Sequence, residues 1–454
     1  MDLHAALVKN VTFPLLQRRA GVYGLYARLA ELERSQWLSR DEVEDLRLAR
    51  LRALLRHAYD HTAYYRRVMD ELGATPEEAA DPANLRRLPT LTKPIINANL
   101  DDLLATNIRR EDTHESFTGG TTGVRMKFMR DNACLAAKAA ATIRQERWTG
   151  WDIGRLRGLV WPASQDYVGY SGLKARLRNA LGERYLVLPA AVLDESAMAA
   201  YARQLRRQRP VLLRGFPSPL YLLADHIRRS GDGPVPVPSV IATGEPLYEH
   251  QRQAMREAFG ATIFDSYGSR ETGLIAQECP EHGSMHINAE SLFLETVRDE
   301  VTGRDRLLVT DLLNHGMPMI RYEIGDTVTL TDRQCPCGRG LPVMEMGVGR
   351  EADILYTPEG RTVSSVSLVL YLIDNGPPVG QVQVVQDTLD HLLVRITRTP
   401  PPDENLFAYY RGEVARLFGD AMRVTFEVVD GIPNEASGKY RFAVCNIPPD
   451  ERPR

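Results

Sequence analysis

Apolar positions change their period along the 454-residue chain. From the start to about residue 105 they recur at helical spacing on otherwise polar segments. Between Ser39 and Gly73, "SRDEVEDLRLARLRALLRHAYDHTAYYRRVMDELG" carries leucines on one helical face, and Ser39 with Glu42 reads as a capping box. "LPTLTKPIINANLDDLLA" (Leu88–Ala105) is a proline-punctuated link into another short helix. A Gly/Thr-rich loop follows, then a helix opening near Asp131, "DNACLAAKAAATIRQERWTG".

From about residue 156 apolar runs alternate with amphipathic stretches. "LRGLVWPAS" and "RYLVLPA" read as strands, and "SAMAAYARQLRRQRP" as a helix. "VLLRGFPSPLYLLADHIRRSG" reads as strand, turn and helix; "PSVIATGEPLYEHQRQAMREAFGATIFDSYGS" reads as strand, loop, helix, strand and loop. This alternation predicts an α/β core with much parallel sheet. Strand-rich sequence follows in "SLFLETVRD", "RLLVTDL" and "TVTLTD". Around Gly349 the polar, turn-rich "VGREADILYTPEGR" marks a break. Beyond it, "VGQVQVVQD", "HLLVRITR", a helix from about Glu404 to Phe418 and "RVTFEVVD" predict a compact second domain. Residues 1–349, with a largely helical lead-in to 105, and residues 350–454 are therefore expected as two domains.

Composition narrows the class. Hydrophobic residues make up 43% and charged residues 25%, the balance of a globular protein. The net charge of −3 gives no basic footprint for nucleic acid. The first residues, "MDLHAALVKNVTFPLLQRRAG", lack the long apolar core and small-residue cleavage site of a secretion signal. No run of about 18 apolar residues predicts a membrane span. Five cysteines do not make a disulfide framework, and a cytoplasmic location is the expectation.

Candidate chemistry is spread over several short segments. "SFTGGTTGVRMKF" (Ser116–Phe128) offers backbone N–H groups and hydroxyls suited to phosphate oxygens. It lacks the Gly-Lys-Ser/Thr ending of a P-loop, which argues against a P-loop kinase. "SYGSRETG" (Ser266–Gly273) follows the strand "ATIFD"; at the carboxyl end of a parallel strand, where α/β sheets bind ligands, Tyr267 could lie against a base and Glu271 could hold Mg²⁺, against the plainer reading of an ordinary strand-to-loop turn. "IRYEIGDTV" sets Asp326 after a glycine, where a carboxylate can accept two ribose hydroxyls. Gly349 and Arg350 sit at the domain boundary, and "NEASGKYR" puts Lys439 in a glycine-flanked turn that can reach developing negative charge.

In this order, and with "ATGEPL" (Ala242–Leu247), these segments resemble the acyl-adenylate-forming superfamily. "LERSQWLSRDEV", "LPTLTKPII", "CPEHGSMHIN" and "CPCGRG" are similar to its phenylacetate–CoA ligase branch. The resemblance covers about residues 40 to 443. It implies a large N-terminal adenylate-forming α/β domain with mixed sheets and a small mobile α+β C-terminal domain. It implies that ATP and Mg²⁺ activate a carboxylic acid, of aryl or arylacetic type, as acyl-AMP with release of pyrophosphate. Coenzyme A is the implied acceptor. By position, Thr118, Gly119, Gly120, Thr121, Thr122 and Gly123 would hold the β- and γ-phosphates. Gly244, Glu245, Pro246, Ser266, Tyr267 and Gly268 would line the adenine, and Asp326 and Arg350 the ribose. Glu271 would hold Mg²⁺, and Lys439 would contact the carboxylate and α-phosphate. The chain departs from the pattern at Arg270, where Thr or Ser is usual, at Ala352 in place of the hinge acid, and at "EGRTVSS". These departures bear on the acceptor half-reaction and keep an acid–amine ligase without coenzyme A as the alternative. A non-catalytic binding protein on the same fold is the remote one, and a homodimer is left open.

Cys279 with His282, and Cys335 with Cys337, form two short pairs that fit a closed tetrahedral structural zinc, with His286 the alternative to His282. Cys134 and Cys445 read as core thiols. Trp161, Tyr167 and Tyr170 are candidates to line an aromatic acid pocket, against the plainer reading of core aromatics.

Overall fold

Ser39 starts the helix Arg40–His61 as the capping box requires. Its Oγ accepts from the Glu42 N–H, and Glu42 Oε2 accepts from the Ser39 N–H at 2.8 Å. Val43, Leu51, Leu54, Leu55 and Ala58 fall on one face and are buried. Each leucine removed from water contributes about 1.5–3 kcal/mol. Thr62 then breaks the helix in an extended conformation and caps the next one, Ala63–Leu72, by accepting from the Tyr65 N–H. That helix ends on Gly73 at φ 59°, the left-handed position that favours glycine.

The computed structural model describes the chain apart from residues 1–2, 20–21, 118–125, 162–172, 191, 299–304, 347–353, 365–367, 369–371, 373–376, 378, 380, 399–400, 433–441, 449–450 and 453–454. The strands in chain order begin with β1 (Thr113–Phe117), β2 (Lys127–Asp131), β3 (Arg157–Trp161), β4 (Tyr185–Pro189), β5 (Val192–Leu193), β6 (Leu212–Gly215) and β7 (Ser239–Thr243). Next come β8 (Thr262–Ser269), β9 (Gly273–Glu278), β10 (Met285–Ile287), β11 (Leu292–Arg298), β12 (Asp305–Asp311), β13 (Tyr322–Thr331) and β14 (Val343–Met346). The last are β15 (Ile354–Tyr356), β16 (Thr362–Ser364), β17 (Val382–Thr388), β18 (His391–Thr397), β19 (Arg423–Val429) and β20 (Ala443–Cys445).

These elements belong to two compact units. The first draws on Met1–Thr118, Met126–Ile153 and Phe264–Gly349. Its strands run β11-β12-β13-β14-β10-β9-β8, each pairing antiparallel. Leu51, Leu55 and Met69 from the helices share one core with Ile275, Val309, Tyr322 and Met344 from the strands. The helix Asn132–Trp148 opens on Asp131, whose Oδ1 accepts from the Cys134 N–H at 2.7 Å. It carries Arg144 into the interior, where Nη1 meets Glu290 Oε1 at 3.0 Å and Nη2 meets Asn288 Oδ1 at 3.1 Å. Ser35 Oγ also donates to Glu290, at 2.7 Å. Removing one partner of a fully buried pair strands the other charge. Arg144→Ala is expected to lower unfolding stability by about 3–5 kcal/mol, read from urea midpoints at unchanged slope.

The second unit draws on Gly154–Ile263 and Arg350–Arg454. In its first segment β4-β3-β6-β7 are all parallel, as predicted from the alternation. The connections pass through the helices Glu195–Gln208 and Pro217–Ser230, because a parallel return needs a crossover. The C-terminal segment has its own core, with Val384, Val394, Tyr410, Val414, Phe418 and Phe442. There the helix Glu404–Phe418 accompanies a sheet ordered β19-β18-β17-β20. The expected turn-rich break holds a short antiparallel pair, β15 with β16, around a turn in which the Gly360 N–H donates to Thr357 O at 2.9 Å. Each arm is only three residues long, too short to show a period in the sequence. Among the described residues no helix is long and apolar enough to cross a membrane.

Candidate active site and metal centre

"SYGSRETG" differs from its expected form. β8 does not stop before it but runs on through Ser269, paired antiparallel with β9. The turn is confined to Arg270, Glu271 and Thr272, between the paired Ser269 and Gly273. A polar stretch with two glycines looks like loop, yet both glycines are needed by the hairpin. A Cβ on Gly268 would meet the Gly273 carbonyl oxygen at 2.7 Å. Gly273 has φ 75° and lies against the Lys138 side chain. Ser269 Oγ accepts from the Thr272 N–H at 3.1 Å and closes the turn.

Two tyrosine–carboxylate pairs result, both inside the first unit. Tyr267 donates to Asp326 Oδ2 at 2.8 Å, joining residues 59 apart. Tyr322 donates to Glu271 Oε1 at 2.9 Å. Burial, reinforced by the Glu271 charge, pushes the Tyr322 hydroxyl well above its ordinary value, so it stays protonated and acts as a donor. Glu271 is only 6% exposed, and Lys138 Nζ donates to its backbone oxygen at 2.7 Å. The same ammonium pairs with Asp311 Oδ2 at 2.7 Å. Burial alone would lower the Lys138 pKa, but the Asp311 charge and hydrogen bond outweigh it and raise it. The turn that carries Glu271 is thus fastened by a permanent cation. Ser266 Oγ, 2% exposed, has no hydrogen-bond partner among the described residues. An orphaned buried hydroxyl of this kind is a group that a bound base can satisfy.

Sequence reading singled out neither Tyr322, Lys138 nor Asp311. Tyr322 carries a signal, being the tyrosine of the Tyr-x-x-Gly-Asp segment. Lys138 is a lone lysine among the alanines of a buried helix, a weaker signal of the same kind.

The Gly/Thr loop is flanked by β1 and β2, which pair from Thr113↔Asp131 to Phe117↔Lys127. Arg130 of β2 donates through Nη2 to Ser116 Oγ of β1 at 2.6 Å. Thr118 to Gly123, Arg350 and Lys439 lie outside the described residues, as do Tyr167 and Tyr170.

Gly244, Glu245 and Pro246 belong to the second unit, immediately after the fully buried β7. Gly244 has φ 88°, and a Cβ there would meet the Phe216 ring at 2.5 Å. Phe216 packs edge-on to Trp161, with centroids 4.7 Å apart. Phe216, which the sequence reading did not mark, therefore joins Trp161 to the "ATGEPL" turn. Glu245 Oε2 accepts from the Ser218 N–H at 2.9 Å, in the first turn of Pro217–Ser230, where a carboxylate suits the helix dipole. Gly244→Ala is expected to cost about 2–4 kcal/mol, from left-handed backbone strain and overlap with Phe216. Thermal or urea unfolding of the single variant measures it.

The sulfur cluster forms with a different histidine from the one in the pair Cys279–His282. Cys279, His286, Cys335 and Cys337 bring their ligand atoms within 4.8 Å of one another. Cys279 Sγ and Cys335 Sγ are 3.6 Å apart, and Cys337 Sγ is 3.3 Å from His286 Nε2. His282 instead turns Nδ1 toward Glu278 at 3.4 Å and lies by the Phe264 ring. The reason is backbone direction. His282 sits in a tight turn at φ 51°, whereas His286 lies on β10 between β9 and β14. Burial lowers the His286 pKa to about 4, so its ring is neutral and available as a ligand. Burial also pushes the Cys279 thiol up to about 12, an arrangement that a cation reverses. A tetrahedral zinc with Zn–S of about 2.3 Å spaces its sulfurs by roughly 3.8 Å, so the donor set fits.

A family model for the CapK C-terminal domain matches residues 355–446. Protein CapK of Staphylococcus aureus is 25% identical over 80% of this chain and 81% of its own length. A phenylacetate-coenzyme A ligase of Thermus thermophilus is 26% identical over 89% of this chain and 96% of its own. A solved 2-hydroxyisobutyryl-CoA ligase, in complex with 2-HIB-AMP and CoA, superposes with a TM-score of 0.62. It is 21% identical and covers 91% of this chain and 92% of its own, a likeness of fold. In fold, and over most of its length, the chain is similar to acyl-adenylate-forming enzymes, the phenylacetate–CoA ligases among them.

Proposed function

We propose that the chain activates a carboxylic acid with ATP and transfers the acyl group to coenzyme A, the acid being of aryl or arylacetic type. The observation that carries the reading is the pair of braced carboxylates: Asp326 held by Tyr267 and Glu271 held by Tyr322. A carboxylate oxygen of the acid attacks the α-phosphorus of ATP, the bond to pyrophosphate breaks, and acyl-AMP forms. The coenzyme A thiolate then attacks the acyl carbonyl, and AMP leaves. No protein nucleophile takes part, so the chain contributes alignment and charge neutralisation.

In this reading Asp326 and Arg350 accept and orient the ribose. Ser266, Tyr267 and Gly268, and with them Gly244, Glu245 and Pro246, are the residues assigned to the adenine. Thr118 to Gly123 cradle the β- and γ-phosphates, and Lys439 approaches the reacting carboxylate and α-phosphate. Glu271 holds Mg²⁺, which supplies neutralisation of the phosphate charge. Cys279, His286, Cys335 and Cys337 hold a structural zinc with no open ligand position. Residues 350–454 act as the small mobile domain that serves the two half-reactions in turn. The names of the relatives favour coenzyme A over an amine as acceptor.

Acid-dependent ATP–pyrophosphate exchange over aryl, arylacetic, amino and fatty acids tests the first step. Exchange with one acid class, followed by AMP release that requires coenzyme A, is the expected result. Product formation with an amine and no coenzyme A would select the amide-forming alternative. No exchange with any acid would overturn the reading.

A further inference from the structure

The first described residues form one helical run: Leu3–Leu7 and Phe13–Arg19 as α-helix, Val8–Thr12 as a π-helical segment. Its inner side is anchored by Val8, fully buried, and by Phe13, whose ring meets Tyr26 edge-on. Its outer side carries Leu3, Leu7, Val11 and Leu15, exposed by 79%, 47%, 45% and 53%. Spacing of four residues drifts by about 40° per step on a regular α-helix of 3.6 residues per turn. The wider π segment turns the line back, so the four side chains keep to one stripe. Pro14, which has no N–H to donate to Asn10, lies just beyond that segment.

The charge on this stretch has one sign. From Leu3 to Ala30 there is no Asp or Glu. Lys9 is paired with Asp152 and Arg28 with Glu31, while Arg18 and Arg19 are exposed where the apolar stripe ends. Tyr23, four positions after Arg19 in the sequence, is 68% exposed. An isologous contact between two copies would set this basic surface against itself, with no acid between Leu3 and Ala30 to answer it. Apolar side chains in line, arginines at the end and an aromatic beside them suit the boundary of a bilayer with anionic headgroups.

We propose that this face is a peripheral docking surface for anionic lipid. Leu3, Leu7, Val11 and Leu15 enter the acyl boundary, and Arg18 and Arg19 meet the headgroup phosphates. The helix lies on the bilayer and does not cross it. One such helix gives reversible binding, so the attachment is salt-sensitive.

The test is co-sedimentation of the full chain with vesicles of phosphatidylcholine alone and with about a quarter phosphatidylglycerol. Binding only to the anionic vesicles, weakened by salt, is the expected result. The double variant Leu7→Ser, Leu15→Ser and the double variant Arg18→Gln, Arg19→Gln should each bind about tenfold more weakly. Both should keep the wild-type unfolding midpoint, because the altered side chains are exposed. No binding to anionic vesicles, or equal binding by the variants, overturns the proposal. A dimer in light scattering that the leucine variant converts to monomer shows a second copy on this face and overturns it as well.

Discussion

Glu271→Gln is expected to lower acid-dependent ATP–pyrophosphate exchange by about 100- to 1,000-fold, the scale of losing one preorganised electrostatic group. The substitution is chosen to separate charge from shape. Gln keeps a carbonyl oxygen for the Tyr322 hydroxyl at Oε1, and the Lys138 bond to the backbone oxygen of residue 271 is untouched. What disappears is the negative charge that would hold Mg²⁺ at the triphosphate. Raising Mg²⁺ should therefore recover part of the rate, and the effect should appear in the metal dependence before it appears in the acid KM. Tyr322→Phe probes the support instead of the charge. It leaves Glu271 ionised but frees it to turn, and a loss of about tenfold is expected from misalignment. An exchange rate for Glu271→Gln equal to that of the unaltered protein would sink the assigned role.

Loss of the proposed zinc is the other change for which a large effect is expected. Freshly purified protein is expected to contain one zinc per chain by elemental analysis. Cys337→Ser and His286→Ala should each lose it, while His282→Ala should retain it, because only His286 reaches the three sulfurs. Structural zinc in small peptides supplies about 10–16 kcal/mol of folding free energy. Here Cys279, Met285, Cys335 and Val343 all belong to the same core, so part of the packing survives metal loss. A destabilisation of about 3–5 kcal/mol or more is expected on this basis. The apo protein should also become acid-sensitive. His286 titrates near 4 when folded and near about 6.5 when unfolded, so the unfolded chain binds more protons between those values. Stability is then lost as pH falls from about 6.5 toward 4 and is fully present above that window. Absence of zinc from the purified protein, or its loss from His282→Ala alone, would refute the assignment.

How much of this was legible in the sequence differs from element to element. The Ser39 cap, the helix from Asp131 and the parallel strands β3, β4, β6 and β7 are written in local pattern, because caps and periodicity act over a few residues. Asp326, Tyr267 and Glu271 could be named from short motifs and their order. Their hydrogen bonds could not. The Tyr322–Glu271 bond spans 51 residues and depends on how β13 and the β8–β9 hairpin sit in one sheet. Which strands come to lie in one sheet leaves no trace in the spacing of either segment.

The sequence by itself determined the order of the motifs, the alternation that builds the sheets, and which residue types were available for phosphate, ribose and metal. Only the tertiary structure decided which partners those residues take. It chose His286 over His282 because β10 runs beside β14 and carries the ring to Cys337, while the turn at His282 points elsewhere. It set Lys138 under the Glu271 turn and Phe216 against Gly244, pairings between residues far apart in the chain. Periodicity fixes which face of an element is apolar, but the neighbour on that face is set by packing among elements the chain brings together only once folded.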